Sequence, residues 1–297
     1  MKLLTKENLA KHSYIRIGGE TEYFAIPETV EEIFEIAKFA RDRELPFYVI
    51  GGGSNILFPD EGYKGVIIST ENLNQIRIQN EFVVAQAGLS LPLLVNLLQK
   101  EGLSGMEELC EIPGTVGGAV AGNAGAFGKE ISEVFVEGNI LTFEGKIIKV
   151  KRDDLNFSYR SSILQNLGIL LDATFRLVPS SPEKIFSIIK EIKQKRRKTQ
   201  PVGELTLGSV FRNPPGTSAG FLIEKAGLKG YTIGGAKFSE KHANFIVNFA
   251  NAKASDVKAL IKEAKKRVSE LFGIELNPEI IILEHTTNFK REANNGL

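Results

Sequence analysis

Three polar residues stand in short motifs in separate parts of the chain, and their side chains are of types that can bind anions or take part in proton transfer. Arg160 lies in "SYRSS", Ser209 in "GSVFRNP" and Glu279 in "NPEI". An arginine stays charged at any working pH and binds carboxylates through paired hydrogen bonds. A serine hydroxyl or a protonated carboxyl group can donate a proton to a basic carbon. Taken singly, each residue type favours a simpler interpretation: a surface or phosphate-binding arginine, a turn serine and a solvated glutamate.

Two glycine-rich segments indicate a different chemistry, the binding of phosphate. They are "GGGSN" at 51–55 and "GTVGGAVAGNAGAFG" at 114–128, each beside an apolar strand. Glycine lets backbone N–H groups approach a ligand, and successive N–H groups that face one way bind anions. Tight turns or close strand packing are the alternative. Two such clusters favour a large ligand that carries a pyrophosphate.

The usual nucleotide-binding spacings do not fit these glycines. A dinucleotide fingerprint that starts at Gly51 needs glycine at 56, where Ile56 stands, and the nucleophile elbow around Ser54 fails at the same position. No Gly-Lys-Ser or Gly-Lys-Thr sequence of a Walker loop occurs. The common nucleotide folds are therefore disfavoured, although a phosphate cradle is not.

Hydrophobic periodicity and end signals predict the elements that carry these residues. Thr29 and Glu32 form a capping box that opens a helix through residue 45, and Ser90 opens a second helix that Gly102 ends. Ser181 before Pro182 opens a third helix. A fourth helix is predicted from Ser255. β-Branched runs predict strands at 46–50, 64–69, 82–88, 167–178, 243–249 and 279–284, with a hairpin over 136–151.

Length and composition narrow the class of protein. A chain of 297 residues is long enough for two or three lobes. A net charge of +1 produces no broad electrostatic field that would attract nucleic acid or anionic membranes. One cysteine, Cys110, excludes an internal disulfide, and the scattered histidines predict no metal site. Without an N-terminal signal pattern or a membrane-length apolar run, we expect a cytoplasmic protein. The low charge and the absence of heptads favour a monomer.

Several segments together resemble one family. "YVIGGGSNILFPDEGYKGVII", "GLSGMEELCEIPGTVGGAVAGNAGAFGKEI", "SYRSS", "GSVFRNP", "AGFLIEKAGLKGYTIGGAKFSEKHANFIVN" and "ELNPEI" occur in the order seen in the UDP-N-acetylenolpyruvoylglucosamine reductase family. The resemblance implies an α+β fold: a two-subdomain FAD-binding fold of the vanillyl-alcohol-oxidase type, followed by a smaller α+β substrate domain. We place these units at 1–70, 71–180 and 181–285, before a loose tail at 286–297. The short chain resembles the branch that lacks a tyrosine-bearing loop over the substrate.

The resemblance also implies an activity and a set of site residues. It implies a cytoplasmic flavoenzyme that uses NADPH to reduce UDP-N-acetylglucosamine enolpyruvate to UDP-N-acetylmuramate in peptidoglycan synthesis, with hydride delivered to C3 and a proton to C2. Arg160 would pair with the substrate carboxylate, Glu279 would stabilise the intermediate and Ser209 would donate the proton. The residues implied to contact FAD are Gly52, Gly53, Ser54, Asn55, Gly114, Thr115, Gly117, Gly118, Asn123, Gly125 and Ala126.

Further polar residues are expected around the substrate. By resemblance, Arg212 and Asn213 lie near the UDP diphosphate and Tyr159 near the nicotinamide or the substrate. The basic stretch 195–201 adds charge there or ends a helix in solvent, and His242 and Asn244 are interpreted as structural anchors. Two other functions are considered: a flavoprotein of the same fold with another substrate, and a non-catalytic nucleotide-binding scaffold, which would be colourless and unable to bind FAD.

Overall fold

The first lobe is a four-stranded sheet covered by one helix. The computed structural model describes residues 2–285. The elements of this lobe are β1 (Lys2–Asn8), β2 (Glu20–Ile26), α1 (Val30–Asp42), β3 (Phe47–Ile50), β4 (Ile56–Leu57) and β5 (Tyr63–Ser69). The sheet order is β1-β2-β5-β3, and β5 runs parallel to both of its neighbours. As the capping box predicts, the Thr29 hydroxyl accepts a hydrogen bond from Glu32 N at 3.3 Å.

The second lobe is an antiparallel sheet that packs against helices. Its elements are β6 (Ile76–Gln79), β7 (Phe82–Gln86), α2 (Leu91–Lys100), β8 (Leu103–Ser104), α3 (Val116–Ala121), β9 (Gly125–Ala126), β10 (Lys129–Glu130), β11 (Phe135–Thr142), β12 (Ile147–Lys151), α4 (Leu164–Leu167), β13 (Gly168–Arg176) and β14 (Val178–Pro179). The main sheet has the order β12-β11-β13-β7-β6. The β11–β12 pairing confirms the predicted hairpin. The predicted helix after Ser90 is also present, but the Ser90 side chain makes no capping hydrogen bond.

The long helix α5 (Pro182–Thr199) connects the second lobe to the third. Its apolar face, Ile185, Ile189 and Ile192, is buried in the core of the second lobe. The boundary expected near residue 180 lies just before this helix, and the helix packs onto the second lobe, which precedes it in the chain. The elements that pack in the third lobe begin after the helix. The reason is the amphipathic pattern of α5, which must be buried against a neighbouring apolar surface.

The third lobe is a small sheet packed against two helices. Its elements are β15 (Thr206–Ser209), α6 (Ala219–Lys225), β16 (Thr232–Ile233), β17 (Ala236–Phe238), β18 (Phe245–Asn248), α7 (Ala254–Phe272) and β19 (Ile281–Ile282). The sheet order is β15-β18-β17-β16. One face of α7, including Leu260, Ala264 and Val268, is fully buried against it. None of the described helices is long and apolar enough to cross a membrane.

The end of the described chain returns to the first lobe. The strand predicted at 279–284 is reduced to β19, which pairs in parallel with β4 through Ile281 and Ile56. Leu283 is buried in the core of the first lobe. This return brings Glu279 next to the glycine loop after β3. The tail predicted to be loose, 286–297, lies outside the described residues.

Candidate active site

One cavity of about 610 Å³ lies where the three lobes meet. Its volume is in the range of ligand-binding pockets. Both glycine clusters line it, and so do Arg160, Ser209 and Glu279, which the chain supplies from three separate segments. The predicted cofactor residues on its wall are Gly52, Gly53, Ser54, Asn55, Gly114, Thr115, Gly117, Gly118, Gly125 and Ala126.

The two glycine loops touch each other at the base of this cavity. A Cβ added to Gly52 would lie 3.1 Å from the Gly114 Cα, and one added to Gly53, at φ +62°, would collide with the His12 carbonyl oxygen. The Ser54 hydroxyl donates to the Pro113 carbonyl at 2.9 Å and ties the loops together. The close packing of two main chains therefore accounts for part of the glycine requirement.

The first loop also has the properties of an anion-binding site. Within residues 2–285, the backbone N–H groups of Gly52, Gly53 and Ser54 donate to no backbone or side-chain acceptor. Successive free N–H groups with one residue in the left-handed region form a nest for phosphate. On the opposite wall, a Cβ added to Gly118 or Gly122 would meet no atom closer than 3.4 Å, so the bare backbone there leaves space on the cavity side. These features fit a dinucleotide cofactor.

Arg160 and Glu279 form an ion pair inside the cavity. Arg160 Nε lies 3.1 Å from Glu279 Oε1, and each side chain is about one-fifth exposed. Arg160 occupies a tight turn at φ +57°, which the reciprocal backbone hydrogen bonds between Ser158 and Ser161 close. An arginine that keeps free N–H groups in such a site can bind a second carboxylate.

Ser209 lies at the end of β15, beside Glu279. The strand pairing shifts register between Thr206 and Ser209, and Gly208 adopts φ +80° at this bulge. Bulges redirect a side chain, and this one accompanies the entry of Ser209 into the cavity wall. Glu279 N donates to the carbonyl of Val210 at 2.7 Å, so the backbone of Glu279 is hydrogen-bonded to the residue after the serine.

The residues expected around the substrate divide into two groups. Arg212 and Asn213 line the cavity, and Arg212 Nη2 donates to the Arg160 carbonyl at 3.4 Å. The Arg212 Nε atom is buried and has no hydrogen-bond partner among the described residues. Tyr159 is 47% exposed and lies outside the cavity lining, with the Arg160 guanidinium 5.2 Å from its ring centre.

Asn123 is the one expected cofactor residue that lies outside the cavity lining. It is fully buried, and its Nδ2 donates to Glu130 Oε2 at 2.8 Å and to the Ser158 carbonyl at 2.9 Å. Its Oδ1 accepts from Ser132 N at 3.3 Å. Through its hydrogen bond to the Ser158 carbonyl, the Asn123 side chain supports the turn that carries Arg160; its expected contact with FAD stays a prediction.

Further polar residues line the cavity, among them Arg196, Gln200, His242 and Asn244. The basic stretch that ends α5 indicated the first two, although the sequence did not distinguish Arg196 from its charged neighbours. Asn244 is the structural anchor that we expected, since its side chain donates to the Phe211 carbonyl at 2.8 Å and accepts from Phe211 N at 3.0 Å. Burial lowers the pKa of His242, so this ring is neutral near pH 7. Among residues 2–285, no group of three or more His, Cys, Asp and Glu side chains could hold a metal ion.

Burial changes the proton affinity of the Glu279 carboxyl group. Burial raises the pKa of this carboxyl group above its ordinary 4.5, although the nearby charges of Arg160 and Arg212 act in the opposite direction. Since the folded protein then binds the proton more tightly than the unfolded chain, its stability falls as pH rises through the raised pKa. The stability of the Glu279→Gln variant should not show this fall, because glutamine does not titrate.

The expected result is that Glu279→Gln gains stability relative to the parent protein as pH rises from about 4.5 towards neutrality. Denaturant unfolding of both proteins at a series of pH values measures the difference. Glu263→Gln, which removes a partly exposed helix carboxylate paired with Arg267, is the control and should show no such trend. A difference for Glu279→Gln that stays constant with pH, or that changes in the opposite direction, contradicts the raised pKa.

Comparison with known proteins agrees with this geometry. Residues 21–151 match the family model described as "FAD binding domain", and residues 200–283 match "UDP-N-acetylenolpyruvoylglucosamine reductase, C-terminal domain". The reductase of that name from Bacillus subtilis is 42% identical over 285 residues, with 95% of this chain and 94% of the relative covered. The corresponding protein of Caldanaerobacter subterraneus is 39% identical over 283 residues, with the same two shares covered.

A solved structure extends the similarity to the fold. The UDP-N-acetylenolpyruvylglucosamine reductase from Thermus caldophilus superposes with a TM-score of 0.82 at 33% identity, covering 95% of this chain and 98% of the other. These shares leave no room for a long additional loop, which agrees with the shorter branch. The FAD-binding domain, the C-terminal domain and the near-complete coverage lead to one conclusion: the chain belongs to the UDP-N-acetylenolpyruvoylglucosamine reductase family.

Proposed function

We propose that this protein reduces the enolpyruvyl group of UDP-N-acetylglucosamine enolpyruvate, with FAD as its cofactor and NADPH as its co-substrate, in peptidoglycan synthesis. The observation that carries the proposal is the Arg160–Glu279 ion pair, which shares one cavity with Ser209 and both glycine loops. A fold alone would not require these three side chains to meet. Their meeting supports the reduction of a substrate that bears a carboxylate.

The first requirement of this chemistry is a place for the cofactor and the substrate. When bound, FAD supplies the transfer of a hydride from NADPH to the enolpyruvyl C3. The free N–H groups of the first glycine loop would bind its pyrophosphate, and the second loop would follow the rest of the cofactor. Arg212, whose Nε is buried without a partner among the described residues, and Asn213 would bind the diphosphate of the substrate.

The second requirement is to stabilise negative charge on the substrate. An enol ether resists hydride addition unless its carboxylate is polarised so that charge can accumulate on it. Arg160 would bind that carboxylate through the guanidinium edge not used by Glu279. Burial shifts the pKa of Glu279 upwards, which favours the neutral carboxyl group relative to an exposed glutamate; in that form Glu279 would donate a hydrogen bond to the developing enolate.

The third requirement is a proton for C2. Ser209 would donate it, because Ser209 lines the cavity and the hydrogen bond from Glu279 N to the Val210 carbonyl joins its strand to the segment that carries the ion pair. A serine is a weak acid, yet an enolate carbon is basic enough to take its proton in a fixed geometry. The hydroxyl then regains a proton from solvent before the next turnover.

The test of the proposed function is a turnover assay with purified protein. We expect the protein to be yellow, and we expect NADPH consumption to require UDP-N-acetylglucosamine enolpyruvate and to yield one UDP-N-acetylmuramate for each NADPH. Oxidation of NADPH that is independent of this substrate would indicate a flavoprotein of another specificity. Colourless protein that cannot be reconstituted with FAD would indicate a non-catalytic scaffold.

Asn244 provides a prediction about the position of Ser209. Its two hydrogen bonds to the Phe211 backbone replace strand pairing beyond the bulge. We expect Asn244→Ala to lower the free energy of unfolding by about 1–3 kcal/mol, because buried backbone groups lose their partners, and to slow reoxidation of reduced enzyme by the substrate. Denaturant unfolding and stopped-flow absorbance measure the two effects.

The matched control is Asn248→Ala. Asn248 also makes two side-chain hydrogen bonds to backbone, with Ile15 O at 2.9 Å and Ala252 N at 2.8 Å, but it is outside the cavity lining. The Asn248→Ala variant should lose a comparable free energy of unfolding, but its reduced flavin should be reoxidised by the substrate at the parent rate. If both variants slow reoxidation equally, Asn244 has no specific part in positioning Ser209.

A further inference from the structure

The Asn55 side chain joins the first glycine loop to the segment that carries Glu279. Asn55 directly follows residues 52–54, whose backbone N–H groups have no acceptor among the described residues. Its Nδ2 donates a hydrogen bond to the Glu279 carbonyl at 3.2 Å, across 224 positions of the sequence. Asn55 and Glu279 line the same cavity. The loop suited to a phosphate is therefore bonded to the main chain of a residue proposed to act on the substrate.

Both backbone polar groups of Glu279 are held, each by a different lobe. Glu279 N donates to the Val210 carbonyl of the third lobe at 2.7 Å, whereas the Glu279 carbonyl accepts from Asn55 of the first lobe. Within residues 2–285, Asn55 is the only donor to this carbonyl. Because a residue held at both its N–H and its C=O cannot reorient freely, the two bonds fix the direction in which the Glu279 side chain leaves the backbone.

The same segment is attached to Asn55 a second time. Ile281 N donates to the Asn55 carbonyl at 2.9 Å, so both the side chain and the backbone of Asn55 bind the segment 277–281. At the other end of the segment, Arg212 N donates to the Asn277 carbonyl at 2.9 Å. The segment 277–281 is thus a bridge between the third lobe and the glycine loop.

We infer that Asn55 is a positioning residue: through its amide, the order that a bound pyrophosphate gives the first glycine loop is passed to the segment 277–281, which holds the Glu279 carboxyl group against Arg160. This inference rests on the proposed function for the pyrophosphate of FAD at this loop. An N–H group that gains an acceptor restricts its own peptide unit, and Asn55 shares a peptide unit with Ser54. Ordering of a shared element by one ligand changes the site that the element also carries.

The first test measures hydrogen–deuterium exchange in the peptide 277–283, with and without FAD and without any substrate. In the parent protein, FAD should slow the exchange by about 3- to 10-fold, the range that one hydrogen bond supplies. In Asn55→Ala, at FAD concentrations that saturate the flavin absorbance, most of this protection should be lost. Gln99→Ala is the matched control, because Gln99 Nε2 also donates to a distant carbonyl, that of Pro182, at 3.2 Å, but lies outside the cavity lining. This control should keep the protection of the parent.

The second test is a double-mutant cycle that connects this position with the chemistry. FAD-saturated Asn55→Ala should slow reoxidation of the reduced flavin by the enolpyruvyl substrate about 10-fold more than it slows reduction of the flavin by NADPH, because Glu279 is displaced from its working position. In the Glu279→Gln background, the same substitution should slow reoxidation by less than about 2-fold, since the group that Asn55 positions is already absent.

Three results would overturn the inference. They are equal protection of 277–283 in the parent and in Asn55→Ala, no protection in the parent, and a slowing of reoxidation that persists in full in the Glu279→Gln background. Asn55→Ser, whose hydroxyl is too short to reach the Glu279 carbonyl, replaces Asn55→Ala if that variant does not fold, with the same expected results. A parent enzyme that the enolpyruvyl substrate does not reoxidise would contradict the proposed function instead, and the exchange measurement would still decide the role of Asn55.

Discussion

Ser209→Ala is expected to leave reduction of the flavin by NADPH nearly unchanged and to slow the second half-reaction, with the enolpyruvyl substrate, by about 10²–10⁴-fold. The reason is that the serine hydroxyl is the proposed source of the C2 proton, whereas NADPH reduces the cofactor without it. Stopped-flow absorbance of each half-reaction under anaerobic conditions separates the two effects. A steady-state assay alone would combine them.

The structure indicates that this substitution is tolerated. Ser209 lies at the end of a short strand, with Gly208 before it in the left-handed region and Phe245 opposite it. Alanine preserves the backbone and removes only the hydroxyl. Ser255→Ala, at an exposed position near the start of α7, is the control and should leave both half-reactions unchanged. Equal slowing of both half-reactions by Ser209→Ala would refute the role of Ser209 as proton donor.

Arg160→Gln has the second largest expected effect, a loss of about 10²–10³-fold in the rate of the substrate half-reaction. Two causes act together. The substrate carboxylate loses its fixed cation, and Glu279 loses the partner that lies 3.1 Å away. We expect flavin reduction by NADPH to be retained, and anaerobic mixing of pre-reduced enzyme with substrate measures the loss.

Arg160→Lys distinguishes charge from geometry. Lysine keeps the positive charge but cannot bind a carboxylate through two parallel N–H groups while it also contacts Glu279. We therefore expect an intermediate rate. Arg152→Gln removes an exposed arginine in the same lobe and should have no effect. Full activity in Arg160→Gln, or full recovery of the rate in Arg160→Lys, would contradict the proposed paired binding of the substrate carboxylate.

The local elements of the fold were predictable where capping and periodicity are strong. Thr29 and Ser181 accept the hydrogen bonds that their positions predict. The packing partner of α5 was harder to predict, because the sequence of an amphipathic helix does not show which lobe buries its apolar face. The pairing of β19 with β4 of the first lobe could not be predicted either, because the sequence of a short strand does not show which distant strand it pairs with. Here the partner lies more than two hundred residues away.

In the site, too, some residues could be predicted and others could not. The resemblance brought Arg160, Ser209 and Glu279 into consideration, and the structure places all three on one cavity. The contact of Asn123 with FAD, which the resemblance implies, stays a prediction, and the structure shows that its side chain makes three hydrogen bonds within the protein. Arg196 could not be separated from Lys195, Arg197 and Lys198, since only the rotation of α5 determines which charged side chain enters the cavity.

The most direct test of the account is a single turnover in the absence of NADPH. Enzyme reduced photochemically and mixed anaerobically with UDP-N-acetylglucosamine enolpyruvate should regain oxidised-flavin absorbance at about 450 nm and form one equivalent of UDP-N-acetylmuramate. The reduced Ser209→Ala variant should remain bleached on the same time scale. A parent enzyme that stays reduced, or a Ser209→Ala variant that reoxidises as fast as the parent, would contradict the proposed site.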